Sequence, residues 1–158
     1  MGDLLQMVEL PSGMYNARLD DRGRIKLPTD FQRYFEALRE RKLFVTSVDR
    51  RIARIFPMEV WREYLKSLDT FPGDPNIPRR IRFNADDLGS EAEIDGQGRI
   101  LCSPELRRKL GIENQSVRIH KVQGWVEVLS EAVYAEMQAD AAQVTADDIA
   151  KVEAPRPN

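Results

Sequence analysis

The chain of 158 residues has one cysteine and one histidine. Cys102 lies in the apolar run Ile100-Leu101-Cys102. Alone, it closes no internal disulfide, and no Cys/His cluster has zinc-site spacing. His120 has no Ser or Cys nucleophile in recognisable context, so no constellation of catalytic groups emerges. No glycine-rich loop suited to cradling a phosphate is present. The acidic pairs Asp86-Asp87 and Asp147-Asp148 read as solvated loop and tail residues rather than a metal site. These features argue against an enzyme and call for no cofactor, metal or small-molecule substrate. No apolar run approaches transmembrane length, and the opening residues lack a basic patch followed by an apolar region. The expectation is a protein of the reducing cytoplasm with no membrane partner.

Net charge is small: 24 Lys+Arg nearly balance 26 Asp+Glu, for a formal net of −2. The distribution is uneven. Residues 1–83 carry 16 Lys+Arg against 12 Asp+Glu, whereas residues 84–158 carry 8 against 14. Such asymmetry is compatible with a basic binding face on an acidic body.

What the chain does have is an internal repeat. Leu19-Asp20-Asp21-Arg22-Gly23-Arg24-Ile25 returns as Ile94-Asp95-Gly96-Gln97-Gly98-Arg99-Ile100. Each copy reads apolar, Asp, two variable residues, Gly, Arg, Ile. Each follows an alternating segment and precedes a short apolar run and a helix pattern. Gly23 and Gly98 fall where a tight reversal requires positive φ. Asp20 and Asp95 are placed to accept backbone N–H groups across the turn. Arg24 and Arg99, four residues on, are in reach of an ion pair with those carboxylates.

Around the first motif, Tyr15 to Leu19 alternate as a half-buried strand. Ile25 and Leu27 share one face of the next strand, with Lys26 on the other. Pro28-Thr29-Asp30 opens a helix carrying Phe31, Tyr34, Phe35 and Leu38 on one side. Leu43-Phe44-Val45 and the segment from Ile52 to Phe56 read as strands about a turn at Asp49-Arg50-Arg51. Pro57 starts a helix with Trp61, Leu65 and Leu68 on one side. Phe71-Pro72-Gly73-Asp74-Pro75-Asn76 breaks it. The basic stretch Pro78 to Phe83 begins a connecting helix, and Asp86 to Ser90 return to loop.

The second unit repeats this order. Ser103-Pro104-Glu105 caps a helix that Gly111 ends. Strands follow around Val117-Ile119 and Trp125-Val128, joined at Gln123-Gly124, and Ser130 caps a helix carrying Val133, Tyr134 and Met137. Residues 1–13 read as a loose arm, 14–71 and 90–138 as the two repeats, 72–89 as a basic linker, and 139–158 as a frayed helix and free tail. Each unit is too small to bury a good core alone. The expected class is α+β, with both copies interleaved in one β-barrel-like body and helices outside.

With the paired Asp-x-x-Gly-Arg motifs, Leu27-Pro28 after the first, Ser103-Pro104 and Leu106 after the second, and the linker Arg79-Arg80-Ile81-Arg82-Phe83, the chain resembles the MraZ family. That family belongs to the AbrB-like, swapped-hairpin transcription factors. The resemblance covers roughly Tyr15 to Met137. It implies two AbrB-like repeats forming one swapped-hairpin barrel, and a bacterial regulator that binds double-stranded DNA on the nucleoid. It further implies a homo-oligomeric ring on short direct repeats that represses the division and cell-wall gene cluster, its own gene included. By that carry-over Arg24 leads the DNA contacts with Asp20 orienting it. Arg99 and Asp95 are their counterparts, and Arg22 is a phosphate contact. The alternatives are an AbrB-like interaction ring without DNA activity and an antitoxin-type partner of another protein.

Overall fold

The computed structural model describes residues 8–157. The expected loose arm therefore lies outside the described residues over 1–7. Among the described residues there are eight strands and six helices. The strands are β1 (Tyr15–Leu19), β2 (Arg24–Lys26), β3 (Leu43–Thr46), β4 (Ala53–Pro57), β5 (Ser90–Ala92), β6 (Arg99–Leu101), β7 (Ser116–Val122) and β8 (Trp125–Ser130). The helices are α1 (Thr29–Glu36), α2 (Met58–Asp69), α3 (Asn76–Leu88), α4 (Pro104–Leu110), α5 (Glu131–Ala141) and α6 (Ala146–Glu153).

All eight strands join one antiparallel sheet in the order β5-β3-β4-β8-β7-β1-β2-β6. Its outer strands, β5 and β6, are consecutive in the chain, so the turn between them brings the sheet round into a nearly closed barrel. The repeats interleave as expected. β1 of the first unit pairs with β7 of the second, and β5 of the second pairs with β3 of the first. The β2–β6 and β4–β8 pairs also cross between units. Each unit thus covers the open edges of the other, which short strands need.

The period-2 pattern places the core. Leu19, Ile25, Val45, Ile55, Ile100, Val117, Ile119, Val126 and Val128 point into the barrel and are buried in one cluster. Phe31 and Phe35 of α1 and Leu106 of α4 close its ends. Cys102 is part of this cluster, and burial pushes its thiol up to about 12, so it carries no thiolate at neutral pH. Leu10 is buried in the same core, which anchors that part of the N-terminal segment.

A second cluster sits outside the barrel. Phe56 faces away from the interior and packs with Trp61 and Trp125, and Phe44 stacks on Trp61 at 4.8 Å. This patch explains why α2 lies against β3 and β4.

The chain departs from the expected pattern at two places. Asp86, Asp87 and Leu88, read from the sequence as loop, are the last turn of α3. The helix is tied down by tertiary contacts: Arg50 donates to Asn84 Oδ1 and Asp87 Oδ2, both at 2.7 Å, and Thr46 Oγ1 donates to the Ala85 carbonyl at 2.7 Å. Leu88 is buried beneath it. Beyond α5, Thr145 and Asp148 form a reciprocal capping box that starts α6.

Ile25 and Ile100 are opposite each other in the β2–β6 pair, and both are fully buried. Ile100→Ala is expected to destabilise the fold by about 2–5 kcal/mol through lost transfer energy and a residual cavity. Equilibrium urea unfolding followed by tryptophan fluorescence checks this.

Candidate nucleic-acid interface

The two motifs fold into the same turn. Asp20 N–H donates to the Arg24 carbonyl at 2.9 Å, and Gly23 N–H donates to the Asp20 carbonyl at 3.1 Å. Asp20 Oδ1 accepts from the N–H groups of Arg22 and Arg24, both at 2.9 Å, and Oδ2 accepts from Arg24 Nε at 2.9 Å. The second copy reproduces the set. Asp95 Oδ1 accepts from Gln97 and Arg99 N–H, and Oδ2 from Arg99 Nε, all at 2.9 Å. Gly23 and Gly98 take φ of +83° and +76°, the left-handed conformation each reversal needs.

Each turn is also clamped by the other unit. Leu27 N–H donates to the Gly98 carbonyl at 3.0 Å, and Cys102 N–H donates to the Gly23 carbonyl at 2.9 Å. Gln32 of α1 lies over Gly98 and Arg107 of α4 over Gly23. Gln32 Nε2 and Arg107 Nη1 donate to the Leu27 and Cys102 carbonyls respectively, both at 2.6 Å. The turns are therefore held rigidly side by side on the barrel.

The carboxylates work as hubs. The Arg24 N–H, opposed by partial burial and then reinforced by the Arg22 N–H and the Arg24 guanidinium, lowers the Asp20 pKa below its ordinary value. Arg99 and Gln97 do the same for Asp95. Both groups are accordingly ionised at neutral pH. The side chains of Arg24 and Arg99 keep 26% and 23% of their surface exposed. Their Nε atoms are committed to aspartate, and no acceptor among the described residues engages their Nη groups. Fixed at one edge and open at the other, each guanidinium presents a preorganised fork.

Strand register adds residues that were not singled out from the sequence. Arg18 on β1 pairs with Lys26 on β2, and Lys26 pairs with Arg99 on β6. The three side chains form one basic row across three strands, on the sheet face opposite Ile25 and Ile100. Lys26 Nζ donates to the Gln97 carbonyl in the second turn. Arg18 donates to the Asn114 carbonyl at 2.9 Å and to Ser116 Oγ at 3.3 Å. Arg22 is exposed at the first tip, beside Asp21. The row has no counterpart in the second unit, where Glu93 and Leu101 occupy the places of Arg18 and Lys26. Alternation put Lys26 on the outward face, but only the pairing of separate repeats shows which cations become neighbours.

No family model matches the chain. Relatives named transcriptional regulator MraZ do match over most of its length. That of Koribacter versatilis is 30% identical over 139 residues, covering 86% of this chain and 92% of the relative. That of Thermomicrobium roseum is 32% identical over 121 residues, covering 75% and 80%. That of Herpetosiphon aurantiacus is 33% identical over 109 residues, covering 66% and 71%. The chain belongs to the MraZ family. Both repeats fall within the span shared with the MraZ protein of Koribacter versatilis in large part, since the match takes in most of either chain. Among the described residues, no group of three or more His, Cys, Asp or Glu side chains is placed to hold a metal. Nor is any helix among them long and apolar enough to cross a membrane.

The depressed aspartate pKa values carry a sign. A carboxyl group whose folded pKa lies below its unfolded value, about 3.9 for Asp, contributes stability above the unfolded value and loses it as pH falls through the folded one. Asp95→Asn is therefore expected to be less stable than the parent at pH 6, with the gap closing as the pH drops below the ordinary Asp range. Thermal melts of both proteins across pH 2–6, pH values that bracket about 3.9, measure this gap. Gly98→Ala, strained at positive φ, is expected to lose about 1 kcal/mol or more at every pH. Its melting temperature relative to the parent reads that loss.

Proposed function

We propose that the protein is a sequence-specific DNA-binding transcriptional regulator. It assembles as a homo-oligomeric ring on short direct repeats and represses the division and cell-wall gene cluster, including its own gene, on the nucleoid. The observation that carries the reading is the outward basic row Arg18–Lys26–Arg99 with Arg24 beside it, the guanidinium groups of Arg24 and Arg99 each held by an aspartate. Membership of the MraZ family supports the regulatory part.

The chemistry suits duplex DNA. Arginine reads guanine through two parallel donors in the major groove, worth about 1–3 kcal/mol of discrimination per contact. Holding Nε by Asp20 leaves the Nη pair free for that task and removes much of the rotamer entropy a free arginine would lose. Lys26, Arg18 and Arg22 suit phosphates, which position without specifying. Few such contacts per subunit mean weak binding per subunit. A ring that offers several identical faces to regularly spaced repeats gains about 10²–10⁴ in avidity where geometry allows simultaneous engagement. The unequal second unit gives each face a direction, which suits repeats arranged head to tail rather than as palindromes.

Arg24→Ala is expected to abolish specific binding to the DNA upstream of the protein's own gene, with fold and assembly intact. Lys26→Ala is expected to weaken binding to specific and unrelated DNA alike and to reduce the log–log salt slope by about 0.9. Footprinting and fluorescence anisotropy at two salt concentrations test both. Retention of promoter affinity by Arg24→Ala refutes the assignment. Absence of any binding by the parent protein leaves the interaction-ring reading in its place.

A further inference from the structure

The face that carries Arg24 also carries an apolar side chain. Leu101, on β6, is 51% exposed and belongs to neither apolar cluster. Among the described residues, no other large apolar side chain on a strand stands as open. A single exposed leucine needs no explanation by itself. What distinguishes this one is its neighbours. Antiparallel register sets Leu101 directly opposite Arg24. Arg99 is two residues earlier on the same strand, hence on the same side of the sheet. Leu101 is therefore beside both of the arginines that the aspartates hold, on the face opposite Ile25 and Ile100.

The β2–β6 junction has a local two-fold symmetry. With Ile25 opposite Ile100, Arg24 is the equivalent of Arg99, and Lys26 of Leu101. Lys26 suits a basic face, and Leu101 breaks the symmetry. Arg24 accordingly has an apolar cross-strand neighbour on β6, whereas Arg99 has a cationic one on β2.

Duplex DNA offers a protein phosphates, hydrogen-bonding base edges and, in the major groove, the C5-methyl group of thymine. Leucine has no donor for the first two and matches the third. We propose that Leu101 packs on the methyl group of a thymine close to the guanine read by Arg24, and so helps to specify the operator. The spacing suits this. Directly opposed side chains stand about 4.5–5.5 Å apart at Cβ, and successive bases about 3.4 Å apart along the duplex, so the pair reaches base pairs roughly one or two steps apart. Cytosine at the position lacks the methyl group, and a purine presents an N7 acceptor that leucine leaves unpaired. The inference rests on the DNA-binding reading above and adds a second specifying contact to it. It also gives the face its direction, since a symmetric face reads a site equally in either orientation.

The test uses the full chain and the promoter fragment defined by the parent's own footprint. Thymine is replaced by deoxyuridine at one position at a time, in every protected repeat. This removes the methyl group and keeps every hydrogen-bonding group. Fluorescence anisotropy gives the affinity of the parent and of Leu101→Ala for each fragment. At one thymine position the parent is expected to lose about threefold or more in affinity, the worth of roughly one buried methyl group per repeat. Leu101→Ala is expected to bind the normal promoter about as weakly as the parent binds that uracil fragment, with no further loss on the uracil fragment itself. Because Leu101 is exposed, its truncation is expected to leave the melting temperature and the sedimented mass at the parent's values. A merely structural role would move one of the two.

A parent that binds its promoter equally well with thymine or uracil at every position overturns the inference and leaves Arg24 as the reader. Protected repeats without thymine do the same. So does a Leu101→Ala protein that keeps the parent's sensitivity to the missing methyl group, loses affinity for both fragments alike, or changes in mass. A parent that binds no DNA overturns this inference and the DNA-binding reading together.

Discussion

The β2–β6 pair is the contact on which the molecule depends. Three residues on each strand meet in antiparallel register, with Ile25 opposite Ile100 at the centre. This short junction is where the two repeats are equivalent across the sheet, and it sets the two turns against each other. From it follow the exchange of clamps between units, with Gln32 over one glycine and Arg107 over the other. The crossed pairs β1–β7 and β3–β5 then extend the interleaving round the barrel. Without the junction neither turn has its second wall.

The aspartates in those turns close the backbone and orient an arginine with the same carboxylate. One carboxylate oxygen closes the backbone and the other orients the guanidinium. For the proposed DNA contact that economy has an electrostatic cost, since each arginine would meet a phosphate half neutralised. The row Arg18–Lys26–Arg99 offsets it. Arg18 and Lys26 are satisfied by neutral oxygens, from Asn114, Ser116 and Gln97, so their charge is not cancelled. A chain of net charge −2 can in this way carry a locally positive strip. Within a Debye length, about 8–10 Å at physiological salt, the local charges rather than the net value govern an approaching phosphate.

Much of this was legible from the chain alone, because the information is local or repeated. The turns were readable from Asp, Gly and Arg at fixed spacing, and the duplication from its own recurrence. Ser103 and Ser130 were readable as N-caps, and in the structure their side chains accept from Leu106 N–H and Val133 N–H in that role. What could not be read depends on partners distant in sequence. The last turn of α3 carries Asp86 and Asp87, whose local chemistry favours a loop. Arg50, far upstream, holds that turn helical through Asn84 and Asp87. The basic row was hidden for the same reason. Lys26 and Arg99 belong to different repeats, and no periodicity within either strand announces that they pair. Helix α6 is the opposite case: its capping box is entirely local, yet the Ala- and Asp-rich composition around it suggested fraying.

The crossed pairing also bears on how the polypeptide reaches this state. β1 is paired with β7, about a hundred residues further on. Contacts so widely separated slow folding, because chain closure must precede the reward. During synthesis the first repeat leaves the ribosome with β1 and β3 lacking the neighbours they will have, and its Phe31 and Phe35 without a finished interior. It must wait, as an open and sticky intermediate, until β7 emerges. Until then it exposes unpaired strand edges and apolar surface, the two features that make a folding intermediate prone to aggregate.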